Sequence, residues 1–132
     1  LIVLDASAML EVLLITPRGL RIEERLFAPN ETLHAPHVLD LEVAQVLRRY
    51  CLTGDLEPAR AEEALADLMA LVIDRYSHEL FLPRIWELRH NITAYDATYI
   101  ALAEALSAPL LTADRRLAKA SGHSAVIEVL AP

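Results

Sequence analysis

The sequence predicts an α/β fold built on a parallel sheet with helices over both faces. Three observations carry that expectation. Short apolar runs at residues 1–4, 32–35, 71–76, 109–112 and 126–130 alternate with longer segments of helical periodicity, the pattern of successive βα units. The runs lack the polar alternation of a strand with one wet face, as expected of strands buried on both sides. No internal repeat, low-complexity tract or Ser/Gly linker interrupts the chain, so residues 1–132 read as a single domain, large enough to bury its own core.

Taken in order, LIVL is the first strand and ASAMLEVLL the first helix. Pro17 interrupts before a second helix, GLRIEERLFA. TLHA is a short strand. Pro36 then opens the helix HVLDLEVAQVLRRYCL, which Gly54 closes as a C-terminal glycine. Pro58 starts PARAEEALADLMAL, whose apolar positions recur at helical spacing. LVIDRY is the third strand and LPRIWELRH a helix. Thr93 caps AYDATYIALAEAL, and the strand PLLT, the short helix RRLAKA and the strand VIEVL complete the chain.

Composition narrows the function. Hydrophobic residues make up 55% and the mean hydropathy is +0.31, an apolar surplus that predicts a partner or self-association face and hence a homodimer. No run of about 18 uninterrupted apolar residues exists, so no membrane span is expected. The chain opens directly on a strand-like stretch, so no leader is expected either. A single cysteine, Cys51, implies no disulfide framework and a reducing, cytoplasmic setting. The net charge of −7 argues against broad nucleic-acid affinity but not against a nuclease, whose carboxylates are offset by bound cations. Gly19, Gly54 and Gly122 lie too far apart for a phosphate-binding glycine loop.

Four acids stand out: Asp5, Glu42, Asp96 and Asp114. Asp5 ends the first strand run and Asp114 follows PLLT; Glu42 and Asp96 lie near helix starts. Parallel sheets gather ligands at the carboxyl ends of their strands, where these positions converge. Each acid alone has an ordinary reading. Asp5 and Asp114 are suited to N-capping, and Thr93 with Asp96 has capping-box spacing. On the helix from 37 to 52, Glu42 and Asp40 flank the apolar stripe of Leu39, Val43, Val46, Leu47 and Tyr50 on opposite sides, so one site takes only one of them. Asp40 is expected at a solvated edge. Together, clustered carboxylates raise each other's pKa unless a cation holds them. Their hard oxygen donors suit Mg²⁺ or Mn²⁺, and a pair of such ions supports phosphodiester hydrolysis by an activated water.

LDAS at 4–7, APHVLDLEVAQVLRR with Glu42, TAYDATYIALAEAL with Asp96 and LLTADRRLAKA with Asp114 resemble the PIN-domain nucleases, and most nearly the VapC toxins of bacterial toxin–antitoxin pairs. The resemblance spans essentially the whole chain, in order and at matching separations. It implies a three-layer α/β/α sandwich and an Mg²⁺- or Mn²⁺-dependent endoribonuclease acting on structured RNA such as tRNA or rRNA. It also implies a cognate VapB-like antitoxin that blocks the site. By the same resemblance Asp5, Glu42, Asp96 and Asp114 bind the metal, with the hydroxyls of Ser7 and Thr112 in support.

For RNA backbone contacts the residues offer Arg49, on Glu42's side of its helix, and Arg115, Arg116 and Lys119 just after Asp114. His34, His37, His78, His90 and His123 have no ligand spacing and are expected at the surface or core edge. Cys51 reads as a small buried hydrophobe, and Trp86 with Ile85 and Leu88 as core packing. Two rival readings stay open. One is an aspartyl-phosphate phosphatase or receiver domain using Asp5, assisted by Asp114 and Lys119. The other is a catalytically silent PIN module used for binding.

Overall fold

The computed structural model describes all 132 residues. Five strands, β1 (Ile2–Leu4), β2 (Leu33–Pro36), β3 (Ile73–Tyr76), β4 (Leu110–Thr112) and β5 (Ile127–Val129), form one sheet in the order β3-β2-β1-β4-β5. Every neighbouring pair is parallel. β1 is central, and the chain moves outward from it through β2 and β3 before crossing back to β4. The topological switch therefore falls between β1 and β4, with Leu4 opposite Leu111. All carboxyl ends lie along one edge because all strands run the same way.

The helices are α1 (Ala6–Leu13), α2 (Pro17–Leu26), α3 (Val38–Thr53), α4 (Pro58–Ala70), α5 (Leu82–Glu87), α6 (Ala94–Leu106) and α7 (Arg115–Ala118), with a 3-10 turn at His78–Phe81 leading into α5. Helices α1 to α4 pack together on one face, while α6, backed by α5, lies across β1, β2 and β4 on the other. This is the three-layer α/β/α sandwich. Local chemistry accounts for the boundaries. Thr16 caps α2 ahead of Pro17, and Gly54, at φ +80°, supplies the left-handed residue that ends α3. Gly19 has a tertiary reason: a Cβ there would stand 2.1 Å from the Glu11 carbonyl oxygen, so only glycine lets α2 start against the end of α1.

The strands β1, β2 and β4 are wholly buried, whereas the edge strands β3 and β5 are half-buried. Around them pack Leu39, Val43 and Leu47 of α3 and the near-continuous buried run Ala97–Ala103 of α6. Three expectations are corrected. Trp86 is 67% exposed while Ile85 and Leu88 are buried, because α5 is a single short helix that turns only one face inward. His34 is buried on β2, between the hydroxyls of Thr32 and Tyr76 at 2.7 Å each. Asp40 is no solvated edge: Arg75 of β3 donates to both its oxygens, at 2.8 and 3.0 Å. No helix is long and apolar enough to cross a membrane.

Candidate metal centre

Asp5 leaves β1 at the switch point and becomes the N-cap of α1. Its Oδ1 accepts from the Ala8 amide at 2.9 Å and from the Ser7 hydroxyl at 2.6 Å, and its Oδ2 accepts from the Thr112 hydroxyl. Thr112, fully buried at the end of β4, accepts in turn from the Asp114 amide at 3.0 Å, and Ser7 accepts from the Ala113 amide at 2.9 Å. Two hydroxyls thus lace the start of α1 to the exit of β4 while spending their protons on one carboxylate. The capping reading and the clustering reading hold together, since a carboxylate has oxygens enough for both.

Glu42 reaches the same edge from the second turn of α3. Its Oε1 accepts from the Tyr99 hydroxyl at 2.6 Å; Tyr99 itself is 1% exposed in the middle of α6. Asp96 stands one turn before Tyr99 on α6. Its amide donates to the Thr93 hydroxyl at 3.2 Å, which is the forward half of a capping box. The reciprocal bond from the Thr93 amide is not made, and the Asp96 carboxylate keeps the Thr93 hydroxyl as a neighbour that favours its ionised form. Asp114 caps α7, taking the Arg116 amide at 2.9 Å and the Arg116 guanidinium at 3.3 Å.

Electrostatics join the first three acids. Burial raises the pKa of Asp5 above its ordinary value; Ser7, Thr112 and Ala8 oppose this, and the Asp96 charge adds to it. Burial also raises Glu42, against the Tyr99 hydrogen bond and with the charges of Asp96 and Asp5. Asp96 is raised by burial and then by Asp114. Asp114 instead lies below its usual value because Arg116 pairs with it. Asp5, Glu42 and Asp96 therefore feel one another, while Asp114 joins through Asp96 alone.

As oriented, no three of the chain's Asp, Glu, His and Cys side chains close into a ligating group. Glu42 is turned to Tyr99 and Asp114 to Arg116. The donor set fits a hard divalent cation: all oxygen, anionic, partly desolvated, with no basic side chain bonded to Asp5, Glu42 or Asp96. Of the arginines expected near RNA, Arg116 borders the site beside Asp114, while Arg115 is exposed with no partner and Arg49 sits 5.8 Å over the Tyr50 ring, away from the acids. Tyr99 is the residue missed in the sequence. Its signal was there: it shares a helical face with Asp96 at i+3, and a buried tyrosine hydroxyl needs a partner.

The family model described as the PIN domain matches residues 2–122. The chain is 38% identical to ribonuclease VapC12 of Mycobacterium tuberculosis over 131 residues, covering 99% of this chain and 100% of that one. It is 41% identical to ribonuclease VapC1 of the same organism, covering 97% and 96%. In structure it resembles VapBC2 from Rickettsia felis, solved bound to a DNA fragment from their promoter (TM-score 0.70, 14% identity, 98% of each chain). It also resembles Mycobacterium tuberculosis VapC20, a sarcin-ricin loop cleaving toxin (TM-score 0.66, 19% identity, 96% and 98% coverage). Those two likenesses bear on the fold.

Proposed function

This chain belongs to the PIN-domain family, among the VapC ribonucleases, and we propose on that premise that it is a divalent-metal-dependent endoribonuclease, the toxin of a toxin–antitoxin pair. The observation that carries the proposal is the trio Asp5, Glu42 and Asp96: three carboxylates from three elements, each raised in pKa first by burial and further by a neighbouring acid of the set, with hydroxyls and an amide as hydrogen-bond partners and no basic side chain bonded to them. A fold keeps such an arrangement at a cost to its stability, and a bound cation removes that cost.

In this reading Asp5, Glu42, Asp96 and Asp114 hold Mg²⁺ or Mn²⁺. The ion supplies Lewis-acid stabilisation of the charge that builds on a cleaving phosphodiester and makes a water nucleophilic near neutral pH. The chain's own residues do the positioning. Ser7 and Thr112 fix both oxygens of Asp5, so this carboxylate is oriented before any ligand arrives, and Tyr99 tethers Glu42 at the edge of the site. Their hydrogen bonds favour the ionised form against burial, keeping the site ready for a cation.

The rival aspartyl-phosphate reading is not favoured, because the family match over residues 2–122 and the full-length relatives are PIN-domain ribonucleases. Residues 1–132 form the working unit in our reading, acting in the cytoplasm on structured RNA such as tRNA or rRNA. The proposed VapB-like antitoxin lays an apolar segment along the groove of Val38, Leu41, Val46 and Tyr95, which Glu42 borders, and projects an arginine among the acids. Exposed Leu80, Leu82 and Trp86 are the apolar surface available to a homodimer. The deciding experiment maps RNA ends after brief expression of wild type and of Asp96→Asn. New ends that need Asp96 support the reading, and equal cleavage by both proteins removes it.

A further inference from the structure

A groove of about 640 Å³ opens between the α5–α6 connection and α7. One wall carries Arg89, His90 and Asn91, the other Arg116 and Lys119; Asp96 and Asp114 line it too, so it runs directly into the acidic centre. The groove holds three cations: Arg116 pairs with Asp114, while Arg89 and Lys119 pair with no carboxylate, as do Arg48, Arg49 and Arg115 outside it. Arg18, Arg25, Arg60, Arg75 and Arg84 each pair with a carboxylate outside it, as expected where acids outnumber bases 19 to 12. Arg89 and Lys119 are exposed. Arg89 is nonetheless ordered: its guanidinium lies 4.6 Å from the centroid of the Trp86 ring, and its Nη1 donates to the Trp86 carbonyl at 2.8 Å.

The two walls are tied together. Asn91 Nδ2 donates to the Ser121 carbonyl at 3.1 Å, and Arg84 donates to the Gly122 carbonyl at 3.0 Å. Gly122 has φ +89°, and a Cβ on it would meet Asn91 Nδ2 at 2.8 Å, so glycine is what lets this turn close on the opposite wall. The groove is pre-formed, and a ligand entering it gives up less free energy to ordering the protein.

Resting on the ribonuclease reading, we infer that this groove seats the RNA strand beside the bond being cut, with Arg89 and Lys119 each binding a backbone phosphate. The chemistry selects RNA over a protein segment. A polyanion approaching clustered carboxylates needs flanking cations free of other partners, and the groove provides them. A protein segment needs apolar anchors, and of this groove's lining only Ile92, Leu117 and Ala120 are apolar. The assignment shifts backbone binding away from Arg49 and Arg115, neither of which lines the groove.

The test is fluorescence anisotropy of the full chain with a short single-stranded RNA of mixed sequence, in chelator so that nothing is cut. Arg89→Ala and Lys119→Ala should each weaken binding evenly across sequences and each lower the slope of log K against log salt by about 0.7. Arg89→Lys should keep most of the slope, and Arg49→Ala and Arg115→Ala should leave it unchanged. A wild-type slope in the double Arg89→Ala, Lys119→Ala variant overturns the groove assignment. So does an acidic peptide probe that loses its salt dependence in that variant when RNA does not. Either result, alongside cleavage that still needs Asp96, removes the groove and leaves the nuclease; cleavage indifferent to Asp96→Asn removes the nuclease.

Discussion

Helix α6 carries an acid near each end, and the surroundings of the two are opposite. Asp96 lies in the first turn, where the helix dipole favours negative charge; Glu104 lies in the last, where it does not. The ordering of their pKa values is nevertheless the reverse. Glu104 accepts from Arg84 twice at 2.9 Å and from the Ser124 amide and hydroxyl at 2.9 and 3.1 Å, and these bonds, Arg84 foremost, hold it down to about 2. Asp96 is raised, by burial and by Asp114. On α3 the same contrast spans two residues: Asp40 takes a forked arginine and Glu42 a tyrosine. Arginine is thus spent where a carboxylate serves the fold and withheld from Asp5, Glu42 and Asp96, whereas Asp114 takes Arg116. The composition of a carboxylate's partners, more than its place on a helix, separates structural acids from a cation site.

The largest effect expected from breaking this contrast is on turnover. On the proposed reading Asp96→Asn removes a metal-site carboxylate worth several kcal/mol in the transition state, so cleavage of an RNA substrate should fall at least about 100-fold. Asp5→Asn and Glu42→Gln should do the same, and their double variants should be little worse than the singles. Glu104→Gln should leave cleavage per folded molecule intact. If Glu104→Gln matched Asp96→Asn in rate, the two ends of α6 would not differ in kind.

Metal response comes next. Saturating Mg²⁺ or Mn²⁺, at about 100 times Kd, should stabilise wild type and Glu104→Gln by about 2.7 kcal/mol, and Asp96→Asn by clearly less. Thermal denaturation with and without the ion reads this directly. An equal response in all three proteins would detach the acids from the metal.

Without metal, Glu104→Gln should cost about 1–3 kcal/mol, because it strips charge-assisted bonds from Arg84, whereas Asp96→Asn should cost nothing or stabilise. The pH dependence follows with opposite signs. Glu104, depressed in the fold, contributes stability above its unfolded value that is lost as pH falls toward 2. Asp5, Glu42 and Asp96, raised in the fold, penalise it progressively as pH climbs past their unfolded values through their folded ones. Melting curves in chelator should show a shallower acid limb for Glu104→Gln and a shallower decline on the neutral side for Asp96→Asn.

The smallest effect sharpens the Glu42 side. Tyr99→Phe removes one hydrogen bond to a half-buried carboxylate that water can replace, so it should cost about 1 kcal/mol. It should also push the Glu42 pKa further up, visible as a shift of its side-chain carboxyl titration by NMR. An unmoved titration would show that Tyr99 packs without positioning Glu42.

Much of the frame was legible in the chain because it is locally encoded. The apolar runs of β1 and β4, Pro17 and Pro58 at helix starts, Gly54 at a helix end and Thr93 as a cap each act within a few residues of themselves. The four acids were legible as a set because strand ends and helix starts recur at one edge of a parallel sheet. Trp86 was misread as core, since spacing marks a helical face but not whether anything covers it. His34 was read too far out, because a five-stranded order that buries β2 is a property of the whole sheet. Asp40 and Glu42 were rightly assigned to opposite sides of α3, yet what waited on each side was not visible. Arg75 is 35 residues from Asp40 and Tyr99 is 57 from Glu42.

The sequence by itself determined the element order and the parallel α/β/α architecture, because periodicity, capping and backbone restriction are short-range. Only the tertiary structure decided which carboxylates receive distant arginines and which receive hydroxyls, and that Arg89 and Lys119 share a groove with Asp96. Burial and partnership set those outcomes, and both depend on surfaces that meet only when β4 returns to lie beside β1.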